Sequence, residues 1–207
     1  MRRRSAERLG LGATSLALAL ATVAAPAAAE PVTVTLDPGR TTIRWVLRGF
    51  PDTVHGSFQL AGGALSFDTG SGAADGCLRV EARSGDSGNA SRDHTMHERI
   101  LETARFPVVV LRPLRVEGAL PAAGEGALRL QARLALHGAW HAVTLPVRVT
   151  RTGEHLVADT ALTIPYVAWG LTDPSVFIFR AGKSVDLDLH AVGVLTAPAA
   201  PAPACEP

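Results

Sequence analysis

Between Val32 and Val194, apolar and polar residues alternate through a series of short stretches. In TTIRWVLR (41–48), Ile43, Trp45 and Leu47 share one side, and Thr42, Arg44 and Arg48 the other. GCLRVEAR (76–83) sets Leu78, Val80 and Ala82 against Arg79, Glu81 and Arg83. In GALRLQARLALHG (126–138), Leu128, Leu130, Leu134 and Leu136 oppose Arg129, Gln131 and Arg133. AVTLPVRVT (142–150), HLVADTALTI (155–164), SVFIFR (175–180) and SVDLDLHAVGV (184–194) continue the pattern. Successive side chains of a strand point to opposite faces, so a period of two with one apolar side predicts antiparallel strands that are wet on one face. Leu60–Gly63, Asp68–Gly72, Leu120–Gly124 and Thr152–Glu154 supply turn residues between them. The expected fold is all-β: an antiparallel barrel of about eight strands, whose interior either is filled by side chains or holds one slim ligand.

One segment breaks the period. NASRDHTMHERILETARFP (89–107) is charged and carries histidine, and its Met96, Ile100, Leu101 and Ala104 recur at helical spacing. Ser91 is a capping residue type, and Asp93 lies in the first turn, where a helix dipole favours an acid. Pro107 stops the run, so one short helix is expected over about 91–105. Asp93 and His97, four residues apart, project onto the apolar stripe. That predicts a carboxylate and an imidazole paired with each other and facing the barrel mouth.

The first residues change the expected address. Three arginines precede an apolar run that ends at Ala27-Ala28-Ala29, so residues 1–29 read as a secretory signal peptide. The run is short and alanine-rich, and no second one of membrane length follows, so stable membrane insertion is not expected. The domain is expected over 30–196, with a Pro/Ala-rich C-terminal tail, APAAPAPACEP, over 197–207. Export would place the product in the periplasm, or outside the cell. Removing the leader leaves 16 basic against 18 acidic residues, a net charge of −2. Without a basic stripe there is no electrostatic footprint for nucleic acid. Cys77 and Cys205 are the only cysteines. Export permits a bridge between them, two free thiols fit as well, and the pair has no zinc-site spacing.

The order and spacing of several motifs carry a family resemblance. IRWVLRGFPDTVHGSF (43–58) is a strand running to a G-x-F, and SRDHTMHERILETARFP (91–107) is a helical segment with an R-D step ending at an aromatic and proline. LALHGAWHAVTLPVRV (134–149) closes a strand at H-G, and VAWGLTDPSVFIFRAGKSVDLDLHAVG (167–193) carries a D-P-S step. Over about residues 32–194 the chain resembles the YceI-like family, exported proteins with a lipocalin-like barrel whose members bind polyisoprenoid lipids. His94 and His97, after the R-D step, depart from the less basic stretch usual there.

The resemblance implies a non-enzymatic barrel around a long apolar chain, with no cofactor other than a bound polyisoprenoid and with an apolar lipid as partner. A homodimer is compatible with it. Burial of such a chain contributes about 0.8 kcal/mol per methylene, so affinity needs no charged anchor. The expected lining is Trp45, Leu47, Phe58, Phe67, Leu78, Val80, Met96, Ile100, Leu134, Leu136, Phe177 and Phe179. Asp93, His97, His137 and Arg180 are the polar groups expected to orient a head group at the mouth.

Two other readings compete. Alternating apolar residues serve any β core, so a ligand-free structural barrel fits the same pattern, with Trp140 and Trp169 used for packing. His94 and His97, beside Asp93 and Glu98, could begin a metal site in an exported protein, although their spacing is not diagnostic. Catalysis is not expected. There is no G-x-S-x-G elbow, Leu101 stands where a zincin helix needs its second histidine, and DTGSGAADG (68–76) lacks the lysine of a phosphate loop.

Overall fold

The alternating stretches become long strands that close on themselves. The structure, a computed structural model, describes residues 31–178, 180–196 and Cys205. The expected signal peptide, Phe179 and the rest of the C-terminal tail lie outside the described residues. In chain order the strands are β1 (Pro31–Leu36), β2 (Thr42–Leu47), β3 (Gly49–Phe50), β4 (Val54–Asp68), β5 (Ala74–Asp86), β6 (Val108–Glu117), β7 (Gly124–Leu136), β8 (Ala139–Thr152), β9 (His155–Ile164), β10 (Arg180–Ala181) and β11 (Val185–Thr196). Helix α1 (Ala90–Thr95) continues into a π-helical turn, Met96–Ile100, between β5 and β6.

The barrel has eight antiparallel positions. β4 to β9 pair in sequence, β9 pairs with β11, and β11 returns to β2, which pairs with β4. β1 and β2 share one position. Val34 of β1 faces Leu195 and Leu65, and Ile43 of β2 faces Leu189 and Phe58, on the same two neighbours. The interruption at Asp37–Thr41 lies opposite Leu60–Gly63 of β4. Those residues were expected as a turn and instead form a bulge, where the register with β5 slips between Leu60 and Gly62. Gly62 and Gly63 sit at φ +139° and +146°, and a Cβ on Gly63 would lie 2.2 Å from the Cys77 carbonyl oxygen. Glycine bends the strand here without ending it, as barrel closure requires.

The period of two sorts the side chains. On β7, Leu130, Leu134 and Leu136 are buried inside, while Arg129 and Gln131 meet Glu117 of β6 outside. Trp45 lies directly opposite Gly56, where a Cβ would overlap the indole at 2.2 Å, so the glycine is what admits the ring. On the outer wall Cys77, Val110 and Ala135 are buried beneath Cys205, which is disulfide-bonded to Cys77 across 128 residues of sequence. Cys205 is thereby fastened to the outside of β5–β7.

Two expected elements differ. In SVFIFR (175–180), Ser175 to Ile178 belong to no named strand, with Val176 in an isolated bridge and a turn at Phe177 and Ile178, while Arg180 begins β10 and pairs with Phe50. The helix begins at Asn89, whose side chain accepts the Arg92 N–H at 3.0 Å, so Asn89 and not Ser91 is the cap. It ends at Ile100 rather than near 105. Glu102 takes φ +46°, and the Thr103 N–H turns back to the His97 carbonyl. Ala104, assigned to the apolar stripe, is exposed as a result.

A cavity open at one end of the barrel

The two barrel ends are closed differently. At one, the connections are 69–73, 118–123 and 153–154. Phe67, Val116, Val149 and Leu195, from strand ends on that side, are buried in one cluster and seal it. Phe67 was expected to line a ligand space but belongs to this floor, because it stands one residue before the tight Asp68–Gly72 turn. At the other end lie 48–53, the short turn 137–138, and the two longest connections, 87–107 with the helical segment and 165–184. Between them is a cavity of about 1020 Å³.

Its wall is almost wholly apolar. Of the residues expected there, Trp45, Leu47, Phe58, Leu78, Val80, Met96, Ile100, Leu134 and Leu136 line it, and Arg180 stands on its rim. Ala158, Leu187 and Leu189 also line it. They stand on the apolar side of stretches whose alternation was visible, so that signal was present in the sequence. Tyr166 and Leu171 line it from a connecting loop, where no periodicity marks them. Three hydroxyl-bearing residues of the wall are engaged with backbone. Thr41 Oγ1 accepts the Val192 N–H at 3.2 Å, Thr160 donates to the Pro146 carbonyl at 2.8 Å, and Tyr166 to the Gly182 carbonyl at 2.7 Å. Burial, reinforced by the Asp173 carboxylate, pushes the Tyr166 hydroxyl up to about 12, so it stays neutral. Trp45 donates to the Ser57 carbonyl at 3.3 Å and packs near Phe58, with ring centroids 6.4 Å apart.

The mouth differs from the expectation. Asn89, Ser91, Arg92, Thr95 and Met96 turn toward the cavity, whereas Asp93 and His97 do not line it. The π-helical turn adds a residue to the helical repeat and rotates the face, and Ser87 draws Asp93 aside. Asp93 accepts the Ser87 N–H at 2.9 Å and its hydroxyl at 2.5 Å. Burial raises the Asp93 pKa, but those bonds, with His97 and Arg92 nearby, hold it below the usual carboxylate value. The expected Asp93–His97 bond is replaced by this one, and His97 Nδ1 is buried without a partner. His137, in the β7–β8 turn at φ +51°, also misses the cavity. Its Nε2 lies 3.0 Å from Glu102, and its ring packs on Phe106 at 4.5 Å. It ties the end of the helical segment to the wall. Arg105 and His137 together hold Glu102 below its ordinary pKa.

Phe177, expected inside, is 92% exposed, since its loop projects past the barrel edge. His141 of β8 stacks on Trp169 at 3.9 Å, bracing the 165–184 connection, and burial lowers its pKa. Among the described residues no three metal-ligating side chains converge, so His94 and His97 gather no third ligand. No helix among them is long and apolar enough to cross a membrane.

The model of the YceI-like domain matches residues 34–193, which is the whole barrel. The chain belongs to the YceI-like family. Among solved structures, this YceI-like barrel is similar to Burkholderia cenocepacia BcnA, with a TM-score of 0.64 and 18% identity, covering 76% of this chain and 98% of that one. It is also similar to a polyisoprenoid binding domain from Saccharophagus degradans implicated in plant cell wall breakdown. There the TM-score is 0.59 at 16% identity, covering 80% of this chain and 98% of that one. At such identities these likenesses speak for the fold. No curated protein matches the chain. YceI-like barrels are binding proteins, and an open apolar interior is what such a barrel offers a lipid or isoprenoid.

Proposed function

We propose that this YceI-like protein is exported, holds the chain of a polyisoprenoid or similar lipid in its barrel, and carries or sequesters it without altering it. The observation that carries the reading is the cavity of about 1020 Å³, apolar along its wall and open at one end only. At about 30 Å³ per water-sized group, that volume takes on the order of thirty non-hydrogen atoms, enough for a chain of several isoprene units. Each buried methylene contributes about 0.8 kcal/mol, and the hydroxyls of Thr41, Thr160 and Tyr166 are already bonded to backbone. A head group would meet Arg92, Arg180 and Asp52 at the mouth. The Saccharophagus relative, described as a polyisoprenoid binding domain, supports the ligand class. The Cys77–Cys205 bridge, with the leader-like N-terminus, supports export, since disulfides persist in oxidising compartments.

Native mass spectrometry of protein purified without detergent, before and after organic extraction, tests this. The wild type should lose a mass identified as prenyl lipid. Ala158→Trp puts an indole into the cavity and should abolish that load, while Ala161→Trp, on the exposed side of the same strand, should retain it. An unchanged load in Ala158→Trp would show that the lipid sits elsewhere.

A further inference from the structure

The loop between Asp173 and Arg180 exposes what a soluble surface normally hides. Val176 is 58% exposed, Phe177 92% and Ile178 70%, and Phe50 beside them is 67% exposed. Single exposed apolar residues are ordinary, but a contiguous group at a functional opening marks an interaction site. This group stands on the cavity mouth. Arg180 of β10 pairs with Phe50 of β3, and Phe50, Pro174 and Arg180 are part of the rim. The tip is held outward from its base. Asp173 accepts the N–H and hydroxyl of Ser175 at 3.0 and 2.7 Å, and Ser175 Oγ accepts the Ala181 N–H at 2.9 Å. Lys183 pairs with Asp173, and Arg48 with Asp186. Those acids are matched, and on the rim itself stand Arg92, with Asp93 nearby off the cavity, Asp52 and the exposed Arg180.

We propose that Val176, Phe177 and Ile178, with Phe50, form an apolar tip that docks on the surface of an anionic lipid bilayer and sets the cavity mouth against it. The inference rests on the lipid-carrier reading above. A long apolar chain cannot cross water without exposing its methylenes, so a carrier gains by touching the phase that holds its cargo. A short apolar tip beside the guanidinium groups of Arg180 and Arg92 suits an interface where acyl chains lie beneath phosphate-bearing head groups. It would lie in the interface and not span it.

The test uses the purified protein and vesicles of phosphatidylethanolamine with phosphatidylglycerol as the minority lipid. Flotation is compared between wild type and the triple variant Val176→Ser, Phe177→Ser, Ile178→Ser. Uptake of farnesol from aqueous solution, followed by native mass spectrometry, is measured on both. The wild type should float and the triple variant should lose about tenfold or more in vesicle partition, as removal of three buried apolar side chains requires. Farnesol uptake should be equal in both, which also shows that the variant is folded. Equal flotation of the two proteins, or no flotation of a wild type that takes up farnesol, overturns the docking proposal. Tip-dependent self-association without flotation overturns it too, by making a second copy the occupant. Flotation that depends on the tip, without farnesol uptake, supports docking and removes the cargo reading instead.

Discussion

Where β4 turns into β5 no connection exceeds six residues and the interior is solid, whereas the end that carries α1 has the two longest connections, 87–107 and 165–184, and the interior lies open. The same eight strand positions serve both ends. At the solid end Phe67, Val116, Val149 and Leu195 pack on one another, and van der Waals contact among them is lost if any is trimmed. At the open end polar groups off the cavity pin the connections: Asp93 is held by Ser87, Glu102 by Arg105 and His137, and Asp173 by Ser175 and Lys183. Such bonds hold a loop in position without occupying the interior. Stability is therefore concentrated at one end, and the space for a ligand at the other.

The largest expected effect breaks that division at its solid end. Phe67→Ala removes a buried ring from the floor and should cost about 3–5 kcal/mol of stability, read as a lower midpoint in chemical denaturation. The cavity should deepen, so the variant should accept a longer prenyl chain than the wild type in competitive loading. Unchanged stability with loss of lipid would reverse the roles assigned to the two ends.

A smaller effect sharpens the comparison at the open end. Tyr166→Phe deletes the hydroxyl that donates to the Gly182 carbonyl and should cost about 1 kcal/mol, close to a single partly buried hydrogen bond. The ring that lines the cavity remains, so lipid load should be kept while the 165–184 connection exchanges its amides faster. An equal rise in exchange over the floor strands would mean that the two ends unfold as one unit.

The strand wall was more legible than the connections at the open end. Leu130, Leu134 and Leu136 alternate with charged and polar residues, and a period of two translates directly into inside and outside. The lining on β2, β5 and β7 followed for the same reason. The open end is written in contacts that no periodicity encodes. The face of the helical segment differs from an ideal α-helix because a π-helical turn at Met96–Ile100 changes the repeat at His97, while Ser87 holds Asp93 away from the cavity. SVFIFR has the composition of a strand, but among its described residues only Arg180 joins a named strand, and Phe177, at φ +47° in a turn, faces solvent. Tyr166 and Leu171 enter the wall through loop geometry alone. The bridge between Cys77 and Cys205 depends on where Cys205 meets the outer wall, which spacing in sequence cannot state.

The smallest expected effect is local and depends on pH. Hydrogen bonds from Lys183 and Ser175 hold the Asp173 carboxyl down to about 2, against an ordinary value of 3.8. Because the folded value is the lower one, the contribution of this group is fully present above about pH 4 and is lost as pH falls through about 2. Asp173 is solvated, so the loss concerns the loop it anchors and not the barrel. Protonation frees Lys183 and weakens the hold on Ser175, whose Oγ accepts the Ala181 N–H. The Ala181 amide resonance should therefore shift with a midpoint near 2, while amides of the floor strands stay in place. Asp173→Asn should abolish that step and leave the shift at its acid position at neutral pH. A step of the same midpoint in Asp173→Asn would assign it to another group and leave the loop without this anchor.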